Sequence, residues 1–250
     1  MSNTIKVLDH GFVTLRNLAG PTRRSGPWQD AHGEYADREF DADDTDVANA
    51  ARLSFEGQDQ ERTYEMEMKL NRYLLKHHHD TPFEVIMIWM EFKLPIFVAR
   101  QLVRQRTQTL NEASGRYITL PEEWYIPEVV GGKPVGSVKQ GQQDNLPQHL
   151  QDTFKVTLND SCRDSYTKYK WALAEGVAPE HARMFLHLNH YTHWMTTMNL
   201  RNFMYSLLRL RWDSHAQVEA QAYAEASFKL LEPHLPGLMG LYREVFRGES

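Results

Sequence analysis

The sequence predicts an α+β fold: a single domain over residues 1–250 in which a small, mostly antiparallel sheet packs against several long helices. Runs that mix β-branched and aromatic residues occur in the first half of the chain, whereas helical patterns dominate from Leu146 onward and make the C-terminal half helix-rich. Strands early and helices late are typical of α+β proteins rather than of doubly wound sheets. A chain of 250 residues can also bury an apolar core without disulfide or metal support.

The first half of the chain is predicted to contain short strands and helices around one irregular segment. Residues 19–42 are rich in Gly, Pro, Asp and Arg, which predicts a surface insertion. Pro95 is expected to end a strand and to open the next helix, because proline is tolerated at a first helical position. The predicted elements are one or two strands within Ile5–Leu15, a short helix capped by Asp44 or Thr45 that runs through Arg52, a helix over Glu61–His78, a strand over Phe83–Leu94 and a helix over Ile96–Arg106.

The second half is predicted to be helical almost throughout, after a loop-rich segment at 121–145 in which Pro and Gly recur. Gly176 is a C-cap signal for the longest helix. Asp213 or Ser214 is a candidate cap for the last helix, with Gln217 completing a capping box. The predicted helices are Pro147–Ala174, Pro179–Leu188, Tyr191–Leu210 and Ser214–Leu231.

The composition argues against several classes of protein. A formal net charge of −5 gives no basic footprint for a dedicated nucleic-acid-binding module. The single cysteine, Cys162, rules out an intramolecular disulfide and suits a reducing compartment. The N-terminus has no apolar stretch of signal-peptide length, and no apolar run approaches the ~20 residues of a membrane span. We therefore expect a cytoplasmic protein that binds neither nucleic acid nor membrane.

The segment Arg104–Arg116, RQRTQTLNEASGR, has the residue types of an anion-binding site. On the predicted helix, Gln101, Arg104 and Gln105 would share one face. The stretch TLNEASGR then favours a turn with exposed backbone N–H groups, and between two arginines such a turn would form a nest for phosphate. The guanidinium fork suits bidentate phosphate binding better than the ammonium of lysine. The alternative is a surface helix with solvated arginines and an ordinary loop.

Seven residues of this segment have the spacing of the signature of the flavin-dependent thymidylate synthases, usually written R-H-R-x(7)-S, and the chain therefore resembles that family. The matching residues are Arg104, Arg106, Asn111, Glu112, Ser114, Gly115 and Arg116. Gln105 departs from the signature, which has histidine at this position. Glutamine keeps a hydrogen-bond donor and an acceptor but cannot take a proton. Gln105 is therefore expected to contact a cofactor and not to carry a proton.

The resemblance extends over most of the chain. The similar stretches are A-R-L-S-F at Ala51–Phe55, K-H-H-H-D-T-P-F-E at Lys76–Glu84, P-I-F-V-A-R-Q at Pro95–Gln101 and R-W-D-S-H-A-Q at Arg211–Gln217. The stretch from Asn199 to Arg211 is one residue longer than is usual in the family, and residues 19–42 look inserted.

The resemblance implies an enzyme that converts dUMP to dTMP by reductive methylation. Methylenetetrahydrofolate would supply the carbon, NADPH would reduce the bound FAD, and the family's homotetramer would form its sites between subunits. The implied dUMP contacts are Gln101, Arg104, Glu112, Ala113, Ser114, Gly115, Arg116, Arg183 and Arg211. Arg211 is also the implied catalytic residue, because a fixed guanidinium facing the pyrimidine stabilises negative charge on the ring. The implied FAD contacts are His79, Thr81, Arg104, Gln105, Arg106, Glu112, Asn199, Arg201, Tyr205 and His215.

A cluster at residues 77–80, His-His-His-Asp, suggests a metal site as an alternative. Adjacent histidines on a helix point in different directions, and no H-E-x-x-H or C-x-x-C accompanies them. We therefore expect a solvated helix end and no metal, with protonated histidine favoured there by the helix dipole. Cys162 is predicted to lie mid-helix with nothing nearby to lower its pKa, which favours a structural thiol over a nucleophile.

Two further expectations concern the C-terminal half. Arg211, Asp213 and His215 are predicted to lie where two helix ends meet, which would place a guanidinium and an imidazole in one pocket. Five large apolar residues are expected in the core or in an interface rather than around a cofactor: Trp194, Met195, Met198, Phe203 and Met204.

Two other functional classes stay open at the level of sequence. One is a metal-dependent nucleotide hydrolase that uses residues 77–80, for which stoichiometric zinc or manganese in the purified protein would be the sign. The other is a non-catalytic nucleotide- or RNA-binding module that uses the local arginines, whose binding would depend strongly on salt and be indifferent to flavin.

Overall fold

Short strands and helices follow one another along the part of the chain that the structure, a computed structural model, describes: residues 2–21, 28–29, 35–36, 42–53, 62–105, 107–134 and 141–249. The strands are β1 (Thr4–Val7), β2 (Gly11–Ala19), β3 (Trp28–Gln29), β4 (Tyr35–Ala36), β5 (Met87–Pro95), β6 (Gln108–Glu112), β7 (Gly131–Gly132), β8 (Gln143–Asn145) and β9 (Tyr191–Asn199). The helices are α1 (Asp46–Arg52), α2 (Tyr64–Lys76), α3 (Ile96–Leu102), α4 (Gln148–Ala174), α5 (Pro179–Ala182), α6 (Leu200–Asn202), α7 (Arg209–Arg211), α8 (Val218–Leu231) and α9 (Pro236–Tyr242). Single 3₁₀ turns lie at Thr81–Glu84 and Arg183–Phe185, and π-helical segments at Phe203–Leu208 and Arg243–Arg247.

Five of the strands form one antiparallel sheet in the order β1–β2–β5–β9–β6. The two long strands β5 and β9 are paired in register along their whole length. The short strand β6 lies at the edge, with Gln108 opposite Met198 and Glu112 opposite Trp194. The prediction of a small, mostly antiparallel sheet is therefore confirmed.

One face of the sheet is covered by helices and carries the core. Val13, Phe92 and Trp194 are neighbours across three strands, and all three side chains are buried. Helix α8 packs over β1 and β2, and the hydroxyl of Tyr223 donates to the carbonyl of Lys93 at 2.7 Å. Helices packed on one face of an antiparallel sheet are the predicted α+β arrangement. None of the helices in the described ranges combines the length and apolar character needed to cross a membrane.

The segment Tyr191–Asn199 is a strand, so the helix predicted over Tyr191–Leu210 is wrong in its first half. From Thr192 onward the side chains alternate between the covered and the open face of the sheet, as a pleated strand requires. Tyr, Trp and Thr are typical strand residues. Both β5 and β6 form hydrogen bonds with this segment, so sheet pairing on two sides decided its conformation.

The helix that follows Pro95 ends earlier than predicted. Helix α3 stops at Leu102, and the next residues form a turn. The expectation that Gln101, Arg104 and Gln105 share one helical face is therefore wrong, because only Gln101 lies on the helix.

Two later helices are also shorter than predicted. The segment Pro179–Leu188 forms only the single turn α5 and the 3₁₀ turn after it. Helix α8 begins at Val218 with Gln217 as its N-cap, and no side chain caps it. The predicted caps at Asp213 or Ser214 and the capping box are therefore wrong.

The remaining predicted elements are confirmed, with ends shifted by up to four residues; β5, for example, begins at Met87 because Thr81–Glu84 is a 3₁₀ turn. These are β1 and β2, α1, α2, β5 and the long helix α4. Gly176 follows α4 with a φ of +80°, the left-handed conformation expected of a glycine C-cap. In its described part, the loop-rich segment 121–145 contains only an isolated bridge at Trp124 and the strands β7 and β8. Most of the predicted insertion at 19–42 lies outside the described residues, as do Ser54, Phe55 and Arg106.

Asp44 caps a helix other than the one predicted. Thr45 occupies the N-cap position of α1, but its side chain does not cap that helix. Instead, the carboxylate of Asp44 accepts hydrogen bonds from the backbone N–H groups of Gly237 and Leu238, both at 2.8 Å, at the start of α9. Burial raises the pKa of Asp44, and these hydrogen bonds oppose the shift. One buried carboxylate thus ties the chain before α1 to the C-terminal helix.

The helical stretch 200–211 is not a regular α-helix. Its middle part, Phe203–Leu208, is π-helical, between α6 and α7. A π-helical turn closes its hydrogen bonds over one more residue than an α-helical turn, and such segments are frequent at functional sites. The π-helical segment would accommodate the extra residue that the resemblance predicts between Asn199 and Arg211.

Candidate active site

The first group of predicted residues lies in a tight turn after β6, which we call the signature loop (residues 113–117). Ala113 donates its N–H to the carbonyl of His193 at 2.8 Å, so the loop is fixed to the edge of the sheet. Tyr117 donates its N–H to the carbonyl of Ser114 at 2.9 Å, and Arg116 donates its N–H to the Ser114 hydroxyl at 3.3 Å. In the described part of the chain, the N–H groups of Ser114 and Gly115 have no acceptor. The predicted phosphate nest is thus reduced to two adjacent N–H groups, because Gln108–Glu112 is a strand.

Two predicted arginines lie at this loop: Arg116 is part of it, and Arg183 packs against it. A Cβ on Gly115 would lie 3.3 Å from Cδ of Arg183 and 3.1 Å from Leu120, so the absence of a side chain permits the close approach of Arg183. Arg116 pairs with Glu180 at 3.1 Å, and both side chains are about half exposed. The structure therefore brings Arg116 and Arg183, which are far apart in sequence, to one loop.

Glu112 stands at the end of β6, next to the signature loop. Its carboxylate accepts a hydrogen bond from the hydroxyl of Thr192 on β9. This contact holds the carboxylate at the sheet edge, while the residue itself is exposed. Thr192 is a partner that the sequence analysis did not assign to Glu112.

A second group surrounds Arg211 at the end of α7. Its Nη2 donates to the backbone carbonyl of Gln101 at 2.7 Å. The side-chain amide of Gln101 in turn donates to the side-chain oxygen of Gln217, the N-cap of α8. The Nε of Arg211 is buried and has no partner among the described residues. Burial also lowers the pKa of Arg211, so part of this guanidinium is desolvated without a counter-ion among the residues that the structure describes.

The residues after α3 differ in their orientation. Arg104 is exposed, whereas both side-chain amide atoms of Gln105 are buried and have no partner among the described residues. A buried amide without partners costs free energy, so a ligand that satisfies it would be stabilised. Arg106 lies outside the described residues, and its predicted contact stays a prediction.

A third group is organised by Asp80. Arg201 donates from Nε and Nη2 to one carboxylate oxygen of Asp80 at 3.2 and 3.1 Å. The hydroxyl of Tyr205 donates to the other oxygen at 2.8 Å. Burial and the Asp80 carboxylate raise the pKa of Tyr205. His79 and Thr81 flank Asp80 in the chain, so four predicted flavin contacts meet at a residue that the sequence analysis had not assigned to the flavin site.

Asn199 and His215 each have a partner within the chain, and their predicted flavin contacts stay predictions. The side chain of Asn199 caps α6 by accepting the N–H of Asn202 at 2.8 Å. The imidazole of His215 pairs with Asp213 at 2.9 Å, and its side chain is 90% exposed. The hydrogen bonds from His215 lower the pKa of Asp213. In a single chain, Arg211 and His215 therefore do not form the common pocket that the sequence analysis expected.

The first and third groups lie at opposite ends of the strand β9. Glu112 and the signature loop lie near Trp194, whereas Asn199 and the Asp80 group lie at the other end. The five steps from Trp194 to Asn199 correspond to roughly 17 Å at about 3.3 Å per residue. Within one chain, the residues assigned to the nucleotide and those assigned to the flavin are thus partly separated.

The alternative roles of the histidine cluster and of Cys162 are not favoured by the structure. The ring of Tyr73 lies 4.3 Å from that of His77 and 5.9 Å from that of His79, and Asp80 is already bound by Arg201. No group of three His, Cys, Asp or Glu side chains in the described ranges is arranged to hold a metal ion. Cys162 is buried against Asn189, and burial raises the pKa of its thiol. Both observations fit structural roles.

The expected core residues are mostly buried. Trp194, Met198, Phe203 and Met204 lie in the main cluster, whereas Met195 is 45% exposed on the open face of the sheet.

A protein family and its members are similar to this chain. A family model described as thymidylate synthase complementing protein matches residues 38–237. A flavin-dependent thymidylate synthase of Rickettsia conorii is 35% identical over 254 residues, which is 96% of this chain and 78% of that protein. A protein of the same name from Kosmotoga olearia is 38% identical over 232 residues, which is 93% of this chain and 90% of that protein.

A solved structure has the same fold. It is a UMP/dUMP methylase, PolB from Streptomyces cacaoi, bound with 5-Br dUMP. The TM-score is 0.78, the sequence identity is 24%, and the match covers 97% of this chain and 99% of the other. This similarity confirms the α+β fold class.

Proposed function

The chain belongs to the family of flavin-dependent thymidylate synthases, and we propose that it catalyses the reductive methylation of dUMP to dTMP with FAD as its cofactor. The structural observation that carries the proposal is the guanidinium of Arg211. It is oriented by the carbonyl of Gln101, and its Nε is buried with no partner among the described residues. Such a group is poised to accept an anionic or carbonyl-bearing ligand without further reorganisation.

The proposed task of Arg211 is electrostatic. Addition of hydride to the pyrimidine places negative charge on the ring, and a fixed guanidinium in a partly desolvated site stabilises that charge more than it stabilises the neutral base. The hydrogen bond between the side chains of Gln101 and Gln217 holds the end of α3, and the backbone carbonyl of Gln101 there accepts from Arg211. When bound, reduced FAD supplies the hydride.

The thiol of the chain takes no part in this proposal. Cys162 is the only cysteine, it is buried in α4, and burial raises the pKa of its thiol. A nucleophilic thiol needs the opposite, a lowered pKa and access to the substrate. Activation of the pyrimidine therefore does not use a cysteine of this chain.

The nucleotide phosphate is assigned to the signature loop. Arg116 and Arg183 supply positive charge, and the N–H groups of Ser114 and Gly115 lie in the same loop, next to Arg183 at Gly115. Planar guanidinium groups bind phosphate oxygens in a bidentate manner, and paired N–H groups add direction. The proposed dUMP contacts are Gln101, Arg104, Glu112, Ala113, Ser114, Gly115, Arg116, Arg183 and Arg211.

The flavin is assigned to the Asp80 group and the turn after α3. Arg201, His79 and the exposed Arg104 offer cationic or hydrogen-bonding groups that fit a dinucleotide with a diphosphate. The amide of Gln105 is buried without partners among the described residues and fits a hydrogen bond to a polar ring edge. The proposed FAD contacts are His79, Thr81, Arg104, Gln105, Arg106, Glu112, Asn199, Arg201, Tyr205 and His215.

We further propose that a homotetramer completes the site, with NADPH and methylenetetrahydrofolate as co-substrates. The separation of roughly 17 Å along β9 leaves the signature loop and the Asp80 group of one chain too far apart to contact the same reacting atoms. Around the signature loop, large apolar side chains are exposed: Tyr117 at 81%, Ile118 at 50% and Met184 at 77%. Exposed apolar patches beside a polar site are typical of protein–protein contacts. A second copy that covers them would bring one chain's loop to the flavin residues of the other.

The experiment that tests the function measures flavin and product together. The purified protein is expected to carry or take up FAD, seen as a flavin absorbance spectrum, and to form dTMP from dUMP when methylenetetrahydrofolate and NADPH are supplied. Omission of either co-substrate is expected to abolish product. A protein that neither takes up FAD nor forms dTMP would refute the proposal, and bound zinc or manganese in place of flavin would favour the hydrolase.

A further inference from the structure

The last described segment of the chain contacts three elements of the candidate site. Residues 244–249, which we call the C-terminal clamp, follow α9 and lie beyond residues 38–237, the part matched by the family model. The segment is π-helical as far as Arg247, and Gly248 ends it with a φ of +67°. Glu249 donates its N–H to the carbonyl of Arg243 at 3.2 Å, which closes the segment on itself.

The first contact is with the end of α2. The carboxylate of Glu244 pairs with Arg72 and with Lys76, both at 2.9 Å. The hydrogen bond from Lys76, together with the charge of Arg72, holds the pKa of Glu244 below its ordinary value. Lys76 is the last residue of α2 and immediately precedes the stretch that leads to His79 and Asp80. Glu244 therefore fixes the helix end from which that stretch departs.

The second contact is with the π-helical segment at 203–208. The ring of Phe246 meets the ring of Tyr205 edge-to-face, with centroids 5.0 Å apart. The guanidinium of Arg209 lies over the same Phe246 ring, 5.5 Å from its centroid. Tyr205 is the residue whose hydroxyl donates to Asp80. Phe246 thus packs against the ring of Tyr205, whose hydroxyl donates to Asp80.

The third contact is with the residue after Arg211. Arg247 donates from Nη1 to the carbonyl of Trp212 at 2.8 Å, and its guanidinium lies 4.1 Å from the centroid of the Trp212 ring. Glu249 accepts from Nε of Arg247 at 2.6 Å, so the guanidinium is held from both sides. Trp212 is the C-cap of α7. Arg247 therefore satisfies a carbonyl at the helix end that carries Arg211.

We propose that the C-terminal clamp is a positioning element that fixes the Arg211 end of α7 relative to the Asp80 group, with Arg247 and Glu244 as its positioning residues. The proposal rests on the function proposed above, because it concerns the alignment of the pyrimidine and flavin halves of that site. Arg201, Tyr205 and Arg211 all lie in the helical stretch 200–211, whose middle part is π-helical. The clamp contacts this stretch at Tyr205 and the residue after it, Trp212, through side chains that are not assigned to a ligand.

The contacts of the clamp are expected to contribute more to the catalytic rate than to the free energy of unfolding. The side chains of Arg72, Lys76 and Glu244 are between 31% and 52% exposed, and exposed ion pairs contribute little to stability. Misplacement of a catalytic group by about 1 Å, in contrast, costs on the order of a hundredfold in rate. Loss of the clamp contacts should therefore lower kcat strongly and change the free energy of unfolding only a little.

The test uses Arg247→Met in the full chain, with Arg243→Met as its matched control. Methionine keeps the apolar stem of arginine and removes its hydrogen bonds. Arg243 lies directly before the clamp, pairs with Glu232 at 2.6 Å and lies 4.6 Å from the centroid of the Phe228 ring. Its one side-chain contact with the clamp among the described residues is a long ion pair with Glu249 at 3.9 Å. Both variants lose one guanidinium from neighbouring positions, so the change in charge is the same. A difference between them therefore reports on the contact with Trp212 that only Arg247 makes.

The expected result is a split between kcat and KM. Arg247→Met should lower kcat for dTMP formation by on the order of tenfold or more, with KM for dUMP nearly unchanged. The free energy of unfolding should be the same in Arg247→Met and Arg243→Met. Arg247→Lys should restore part of the rate, because an ammonium still donates to the carbonyl of Trp212. Glu244→Gln should weaken FAD binding severalfold, because it loosens the end of α2. Equal kcat values for Arg247→Met and Arg243→Met would overturn the proposal.

A measurement without ligands keeps this test independent of the proposed function. Amide hydrogen exchange in the ligand-free protein should rise across residues 209–217 in Arg247→Met and stay at the wild-type rate in Arg243→Met. Unchanged exchange in both variants would refute the clamp. A wild-type protein that forms no dTMP would refute the function instead, and the exchange result would still decide whether the clamp fixes α7.

Discussion

The two ends of strand β9 carry residues of one candidate site, and the chain holds their arginines in different ways. At the Asn199 end, Arg201 is bound by Asp80, Tyr205 supports the same carboxylate, and the C-terminal clamp packs behind them. At the Trp194 end, Arg116 and Arg183 are exposed beside a short turn, and the counter-ion Glu180 is itself 47% exposed.

The difference teaches which part of the site the chain builds alone. Groups that are bonded within the chain are preorganised and lose little freedom when a ligand binds. Exposed arginines with screened partners are free to reorient, so a bound phosphate would fix their geometry. We therefore expect the Asn199 end to determine geometry and the Trp194 end to determine substrate affinity.

The largest effect is expected for Arg211→Ala. Removal of a group that stabilises charge in the transition state typically costs about 10²–10³ in kcat, so dTMP formation should become barely detectable. Flavin uptake should be retained, because Arg211 is assigned to the pyrimidine. The measurement is dTMP formation by chromatography beside the flavin spectrum of the same preparation. Arg100→Ala, an exposed arginine on α3, is the control. Normal turnover by Arg211→Ala would remove the catalytic assignment.

The next effect is expected for Asp80→Asn at the preorganised end. The amide keeps the size of the side chain but loses two charge-assisted hydrogen bonds from Arg201, and such bonds are worth about 1.5–3 kcal/mol. FAD affinity should fall by roughly tenfold or more, as measured by flavin fluorescence titration. Glu84→Gln is the matched control, because Glu84 lies 3.7 Å from Arg201 and is 48% exposed. Tighter FAD binding in Asp80→Asn would show that Asp80 only neutralises Arg201.

A smaller effect is expected for Arg183→Gln at the open end. Loss of one exposed guanidinium should raise KM for dUMP by roughly tenfold with little change in kcat, because the group binds ground state and transition state alike. The rise should shrink in high salt, since exposed charges are screened. Arg163→Gln on α4, also exposed, is the control. A fall in kcat with KM unchanged would place Arg183 among the preorganised groups.

The smallest effect concerns stability and pH near the Trp194 end. His190 is buried immediately before β9, and burial lowers its pKa from 6.5 to about 4, against a small opposing effect of Glu123. Between these values the unfolded chain binds the proton more readily than the folded chain, so stability is present above pH 6.5 and is lost as the pH falls toward about 4. The slope is at most about 1.4 kcal/mol per pH unit.

Replacement of the imidazole tests this directly. The urea midpoint of His190→Gln should fall less between pH 7 and pH 4.5 than the midpoint of the wild type, because glutamine does not titrate. The difference between the two proteins isolates this group from the carboxylates, which titrate in both. Parallel loss of stability in the two proteins would show that His190 is protonated without cost in the folded state.

The sequence predicted much of the fold where local signals were strong. Helix α4 was delimited correctly because Pro147 and Gly176 mark its ends. Strand β9 was missed because its residues satisfy a helical period as well as a strand period. Its conformation depends on β5 and β6, which supply hydrogen bonds from both sides.

The candidate site was predicted less evenly than the fold. Asp80 stands between two predicted flavin residues, and its place inside the matching block was the signal that could have assigned it to that site. Gln217 was interpreted only as a helix signal, although it lies in the last similar stretch and bonds to Gln101. Nothing in the sequence indicated that Thr192 binds Glu112 or that the C-terminal clamp reaches Trp212, because these contacts join distant segments.

By itself, the sequence determined the family, the α+β class and the identity of the arginines, since residue types at fixed spacing specify chemistry without any coordinates. Only the tertiary structure decided how those groups are held. It placed Gly115 against Arg183, bound Arg201 to Asp80 and left Nε of Arg211 buried with no partner among the described residues. The physical reason is that burial, orientation and counter-ions depend on which distant segments pack together, and a pattern along the chain does not contain that information.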